Sequence, residues 1–420
     1  MMPRPTIVAE PRPVRVVVVT LDHHLAGAVE RARDKLESSV PGLSFCLHAA
    51  SQWEQDPSSL ERCKQDIAKG NIIIANMLFM EDHIRAILPD LEARREACDA
   101  MIGCLAAGEV IRLTKLGNFT MNGQQGGALA LLKRLRGNSN REASSSGEKQ
   151  MAMLRRLPKL LRFIPGTAQD VRAYFLTLQY WLAGSEDNIL NMVRYLVDRY
   201  ADGPRRSLRG TLKSGTPLLY PDVGLYHPRA KTRITENRND IPASGTKGTV
   251  GLLLMRSYIL AGNTAHYDGV IDALERRGLN VVPAFASGLD ARPAVEKFFR
   301  QDGRASVDAI VSLTGFSLVG GPAYNDAKSA EHMLADLDLP YLAAHALEFQ
   351  TLEQWGSSER GLMPIEQTMM VAIPELDGAT GPLVFGGRAS GTRVGTQRPR
   401  GRGAESRPFR CGGRGDHPRH

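Results

Sequence analysis

Residues Val14–Thr20 read VRVVVVT, an apolar run broken only by Arg15. It is β-branched, too short for a helix, and does not alternate between apolar and polar residues, so it reads as a strand buried on both faces. Further along, Leu43–Leu47, Ile72–Leu78 and Ala100–Leu105 repeat this character. Helical patterns at Leu25–Leu36, Leu60–Ala68 and Asp82–Cys98 lie between them. Strand–helix alternation of this kind predicts a parallel sheet with helices on both faces. Residues 1–136 are therefore expected to form a flavodoxin-like α/β domain.

The stretch 137–150, GNSNREASSSGEKQ, is polar and serine-rich and reads as a linker. Residues 151–202 turn helical, with patterns at Met151–Phe163, Ala168–Leu182 and Asp187–Tyr200. Residues 203–247 are rich in Gly and Pro with little periodicity, and are expected to be an irregular connection laid over the surface. Alternation resumes in 248–388, with strands expected at Val250–Tyr258, Asn280–Phe285, Val307–Leu313 and Tyr341–Ala344. Helices are expected at Tyr267–Arg277, Pro293–Arg300, Ala327–Asp336 and Ile365–Ile373, and Gly278 supplies a helix-ending signal. The expected fold is α/β: two doubly wound parallel-sheet units joined by a helical segment and a long irregular connection. Residues 389–420 are expected to be a disordered Arg/Gly tail.

At 420 residues, two or three domains are expected. Hydrophobic residues at 42% and charged residues at 23% are those of a soluble globular protein. No apolar run approaches the ~20 residues that cross a bilayer, and the start lacks a secretory pattern. Five scattered cysteines without a CxxC favour free thiols in a reducing cytoplasm over a disulfide framework or zinc cluster. The net charge of +8 is concentrated at one end. Residues 386–420 hold nine arginines against two acids, a net +7, which leaves +1 for residues 1–385. A near-neutral body argues against a polyanion partner.

Several groups sit where open α/β sheets bind ligands, at the carboxyl ends of strands. His23-His24 follows the first strand, and reads either as a ligand pair or as a solvent-facing loop end. SLTGFSLVGGPAYND (Ser312–Asp326) is a glycine-rich loop without a nucleotide-binding spacing, and reads equally as a tight strand-to-helix turn. His266 with Tyr267, and His345 with Glu348, lie at two further strand ends. Imidazole can ligate a metal and a carboxylate can accept a proton, but such residues also serve as hydrogen-bonding helix starts. Spacing alone names no reaction.

Longer stretches are more specific. LLLMRSYILAGNTAHYDGVIDALERRGLNVVPAFASGLD (252–290), DAIVSLTGFSLVGGPAYND (308–326), PYLAAHALEFQTLEQW (340–355) and GLMPIEQTMMVAIPELDGATGPLVFGGR (361–388) resemble the porphyrin-binding H subunits of magnesium chelatases, in order. VVVVTLD, NIIIANMLFMEDHI and LPKLLRFIPGTAQDVRAYFLTLQYWLAGSEDNI resemble earlier parts of the same family, so the resemblance runs from Val14 to Arg388. The cobalt chelatase large subunit is a more distant likeness. The resemblance implies Mg²⁺ and protoporphyrin IX as substrates, in bacteriochlorophyll biosynthesis and hence photosynthesis. It further implies ATP hydrolysis in an AAA+ ATPase subunit and its D-type companion, with the Mg-protoporphyrin methyltransferase as a further partner. The implied location is the cytoplasm. A porphyrin slot is expected from His266, Tyr267, Phe316, Leu318, Tyr324 and Glu348. Family members are much longer, so catalytic and metal-binding residues are expected outside this chain, which alone is expected to be inactive.

Past Arg388 the resemblance stops in ASGTRVGTQRPRGRGAESRPFRCGGRGDHPRH, which uses arginine to the exclusion of lysine. This reads as a shifted reading frame in GC-rich DNA, or else as the end of a genuine short paralogue. The rivals to an enzyme subunit are a non-enzymatic porphyrin carrier or regulatory homologue, and a nucleic-acid binder acting through the tail.

Overall fold

The computed structural model describes residues 13–21, 23–54, 56–121, 156–243, 245–321 and 324–388. The expected linker at 137–150, the start of the first helix after it, and the Arg/Gly tail at 389–420 lie outside the described residues. Val16, Val17, Val18 and Val19 have no exposed surface, as the opening run requires. They form the centre of strand β1 (Val14–Thr20), which pairs in parallel with β2 (Leu43–Ala49) and β3 (Ile72–Asn76). Next to β3 lies β4 (Ala100–Cys104), followed by a hairpin of β5 (Lys115–Leu116) and β6 (Phe119–Thr120), giving the order β2-β1-β3-β4-β5-β6.

Helices α2 (Pro57–Lys69) and α3 (Glu81–Arg95) cover one face of this sheet, and α1 (Ala26–Ser39) covers the other. A short helix α4 (Gly108–Arg112) follows β4. The helical segment, a turn at 156–161 with α5 (Thr167–Ala183) and α6 (Glu186–Tyr200), shares one hydrophobic core with α1 and the first sheet. Burying Val171, Phe175, Ile189 and Val193 there contributes roughly 1.5–3 kcal/mol each. Asp170 fastens the helices to the hairpin: it accepts from Tyr200 Oη at 2.9 Å and from the Asn118 N–H at 3.1 Å.

The connection 203–247 differs from expectation. It carries β7 (Val223–Tyr226) and β8 (Ile234–Thr235), which add to the second sheet in antiparallel sense. Pro221 and Pro228 bracket β7 and hide it in the sequence. Lying outside the strand, they remove no donor from its ladder, and Leu225 and Tyr226 are buried.

The parallel strands of the second sheet are β9 (Thr249–Met255), β10 (Asn280–Ala286), β13 (Ala309–Ser312), β16 (Tyr341–Thr351) and β17 (Thr380–Arg388). Together with β7 and β8 they give the order β17-β16-β13-β9-β10-β7-β8. Two small hairpins, β11–β12 (Arg300–Gln301, Arg304–Ala305) and β14–β15 (Gly320–Gly321, Tyr324–Asn325), stand apart. Helices α7 (Arg256–Leu260) and α8 (Ala265–Glu275) pack on one face; α9 (Arg292–Phe298) and α10 (Ala327–Leu337) pack on the other. Gly278 takes φ +84° just past α8, as its position predicts.

The fold is thus α/β with two predominantly parallel sheets, and the two units touch. Arg31 on α1 donates to Glu186 at 2.7 Å and to the Ala261 carbonyl at 2.6 Å, just after α7. No described helix is long and apolar enough to cross a membrane.

Candidate functional site

In the second sheet β10 lies on one side of β9 and β13 on the other. The chain therefore leaves the carboxyl ends of β9 and β13 in opposite directions, which opens a crevice there. A shallow cleft runs along it, lined by Met255, Leu289, Asp290, Thr314 and Phe316 among others. Its volume, about 20 Å³, is room for a water molecule and far below the ~300 Å³ at which ligand clefts begin.

Beyond the cleft the sequence-predicted residues fall into two nests and a core. The first nest centres on Tyr258, near the start of α7. Its hydroxyl donates to Glu348 Oε1 at 2.5 Å, and its ring meets His266 edge-on with centroids 5.3 Å apart. His266 in turn lies 6.2 Å from Phe385 in stacked orientation. Burial pushes the His266 imidazole down to a pKa of about 4, so it is neutral at pH 7. The ring of His24, from the first unit, lies 6.4 Å from Tyr258, which brings the carboxyl edges of both sheets to one place.

The second nest is apolar. Phe316, in the loop after β13, packs with Phe349, Met363, Ile365, Met369 and Met370. Beside Met370 lies His345 of β16: a side chain at Gly315 would come within 3.7 Å of Met370 and 3.9 Å of His345. His345 is 2% exposed, and neither ring nitrogen has a hydrogen-bond partner among the described residues. Burial lowers its pKa to about 4. A buried imidazole left without partners keeps unused capacity for one donor and one acceptor.

Two of the predicted residues serve the core instead. Tyr267 and Leu318 are each 1% exposed. The Tyr267 hydroxyl accepts from the Met255 N–H at 3.2 Å, and the Leu318 N–H donates to the Asp377 carboxylate at 2.6 Å. Asp377 also accepts from Ser317 Oγ at 3.0 Å, and burial raises its pKa. Tyr324 contributes backbone to β15, and its side chain lies outside the described residues. Sequence reasoning does not pick out Tyr258, Met370 or Phe385. Tyr258 falls at the end of an expected strand, whereas β9 stops at Met255 and the chain turns at once into α7.

The orphaned imidazole carries a pH prediction. Between pH 6.5 and 4 the unfolded chain binds a proton at residue 345 that the folded chain excludes, so stability is lost as pH falls through that window. Each such histidine steepens the fall by up to about 1.4 kcal/mol per pH unit. His345→Phe is expected to make the drop in urea midpoint between pH 7 and pH 5 visibly smaller than in the parent chain. An unchanged drop would contradict the buried, neutral state.

Comparison with known proteins gives two family matches. Residues 15–175 match a domain of unknown function, DUF3479, and residues 178–407 match a family described as CobN/Magnesium Chelatase. The two meet inside α5, and the second runs past Arg388, where the resemblance read from the sequence ends. The chain is 53% identical over 374 residues to the magnesium-chelatase H subunit of Cereibacter sphaeroides and 51% identical over 374 residues to that of Rhodobacter capsulatus. These alignments take in 89% of this chain and 31% of each relative, so the chain spans about a third of their length. Among solved structures, the catalytic subunit of cobaltochelatase from Mycobacterium tuberculosis is 17% identical with a TM-score of 0.43, over 88% of this chain and 24% of that one.

Proposed function

The chain belongs to the CobN/magnesium chelatase family, and on that footing we propose that it supplies part of the porphyrin-handling surface of an H-type magnesium chelatase component. The observation that carries this is the 53% identity over 374 residues to a protein of that name. In this reading the substrates are Mg²⁺ and protoporphyrin IX, serving bacteriochlorophyll synthesis in the cytoplasm. ATP is hydrolysed by AAA+ and D-type partner subunits, and the methyltransferase that follows is a further partner.

The geometry supports one wall of a porphyrin site. Phe316, partly exposed and backed by the buried Met369 and Met370, offers an apolar face for the macrocycle. Glu348 and His266 stand at its rim, where a carboxylate and a neutral imidazole can accept pyrrole protons. His345, neutral and without partners, adds an acceptor behind the methionines. Tyr258 holds Glu348 in place. With one wall only, much of the gain from burying a porphyrin, ~25 cal/mol per Å², is forfeited.

Deuteroporphyrin is therefore expected to quench tryptophan fluorescence saturably, with a Kd in the micromolar range or weaker. His266→Ala and Glu348→Gln are expected to weaken it further. A chain ending at Arg388 should bind as the parent does. Loss of binding in that deletion alone would assign the contact to arginines in the tail, and the crevice reading would fall.

A further inference from the structure

The first unit carries a group of side chains that the porphyrin reading does not use. β2 is the edge strand of its sheet, and strand alternation puts Cys46 and His48 on the same face, the one covered by α2. Asp66, one turn before the end of α2, points at them. His48 Nε2 lies 2.9 Å from Asp66 Oδ2, and Arg15 donates to the other carboxylate oxygen, Oδ1, at 2.5 Å. The Cys46 thiol interacts with the same Asp66 carboxylate and makes a long contact of 3.6 Å to the Val16 carbonyl. One ligand atom from each of Cys46, His48 and Asp66 lies within 4.8 Å of the other two. The His48 and Asp66 side chains are 13% and 24% exposed, so a small ion has access from the sheet edge.

We propose that Cys46, His48 and Asp66 form a binding site for a thiophilic divalent cation of the zinc type, with the fourth position open to water. Zinc bonds of ~2.0–2.3 Å at tetrahedral angles place ligand atoms about 3.3–3.7 Å apart. The three groups reach that spacing by small side-chain rotations, the His48–Asp66 hydrogen bond opening as the ion enters between them. On binding, the thiol proton leaves to solvent and the thiolate takes its place on the metal, while His48 gives up the Nε2 proton it shares with Asp66 and ligates through Nε2 as the tautomer protonated on Nδ1. Arg15 keeps Asp66 Oδ1, orienting the ligating carboxylate from outside. One sulfur, one imidazole nitrogen and one carboxylate oxygen suit zinc or cobalt; Mg²⁺ requires an octahedron of hard oxygens. The site is thereby separate from any magnesium the protein handles, and it clips the edge strand to α2. The proposal is independent of the porphyrin reading.

Cobalt(II), added to the full chain under reducing conditions, is the probe. The expected result is a thiolate-to-cobalt absorption band saturating at one equivalent, accompanied by tetrahedral visible bands. Zinc should abolish the band and a large excess of Mg²⁺ should leave it. Cys46→Ser is expected to remove the band and His48→Ala to weaken cobalt binding at least tenfold, while Cys98→Ser, a control thiol, leaves both unchanged. In the unmodified chain, zinc is expected to slow alkylation of Cys46, mapped by mass spectrometry, and not of Cys98. No saturable band, a band that survives Cys46→Ser, or alkylation of Cys46 indifferent to zinc would each overturn the site.

Discussion

Supplied with Mg²⁺, ATP, deuteroporphyrin and both partner subunits of a magnesium chelatase, the chain is expected to give no magnesium porphyrin above a no-protein control. Metal insertion needs bases for two pyrrole protons and ligands that hand over a dehydrated hard cation. The chain spans 31% of the relatives that carry the name. Among the described residues, the one group of three closely spaced His, Cys, Asp or Glu ligand atoms is Cys46–His48–Asp66, whose thiol is unsuited to Mg²⁺. In the proposed site Glu348 and His266 serve as proton acceptors, and among the described residues no third His, Cys, Asp or Glu ligand atom is grouped with them. Magnesium-porphyrin fluorescence that rises in proportion to chain concentration would contradict this.

Gly103→Val is expected to cost about 4 kcal/mol of stability in the first unit, read as a large fall in urea midpoint. A Cβ at Gly103 would lie 2.0 Å from the Val110 carbonyl oxygen and 2.6 Å from its carbon, both backbone atoms of α4. Overpacking costs ~1–3 kcal/mol where side chains can yield, and here the whole helix must move. Its movement also strains three hydrogen bonds, each worth about 1 kcal/mol. Thr114 Oγ1 accepts from the Gly103 N–H at 3.0 Å and donates to its carbonyl at 3.2 Å, where the Tyr174 hydroxyl also donates at 3.2 Å. Gly108→Ala is the control: the nearest atom to its Cβ is the Arg112 guanidinium at 3.8 Å, so little change is expected. Equal midpoints for Gly103→Val and the parent would contradict the close packing of α4 on β4.

The parts of the fold legible in the sequence are those fixed by local pattern. VRVVVVT could only be a strand buried on both faces, and Asp187–Tyr200 shows its apolar stripe plainly. What escapes is set by tertiary pairing. VGLY is four residues between prolines, too short to announce a period, and becomes a strand because β10 offers it an edge. LVFGG pairs with β16 for the same reason, although its two glycines argue against a strand. The site is half legible. Strand-end positions point to His266, Phe316 and Glu348, which the fold sets along the carboxyl edge of the second sheet. Periodicity cannot say that Tyr267 and Leu318 turn inward, because that depends on how α8 and the loop after β13 sit on the sheet. Nor can it pair Cys46 and His48 with Asp66, since the strand and helix that carry them meet only in three dimensions.

If the porphyrin surface lies at the carboxyl edge of the second sheet, bound porphyrin must shield the backbone there. Hydrogen exchange of the full chain, with and without saturating deuteroporphyrin, measures that shielding segment by segment. Slowed exchange is expected at residues 255–260, 313–318 and 345–349, around Tyr258, Phe316 and His345, with the first sheet unchanged. Protection confined to the first unit, or to the segment beyond Arg388, would contradict this placement.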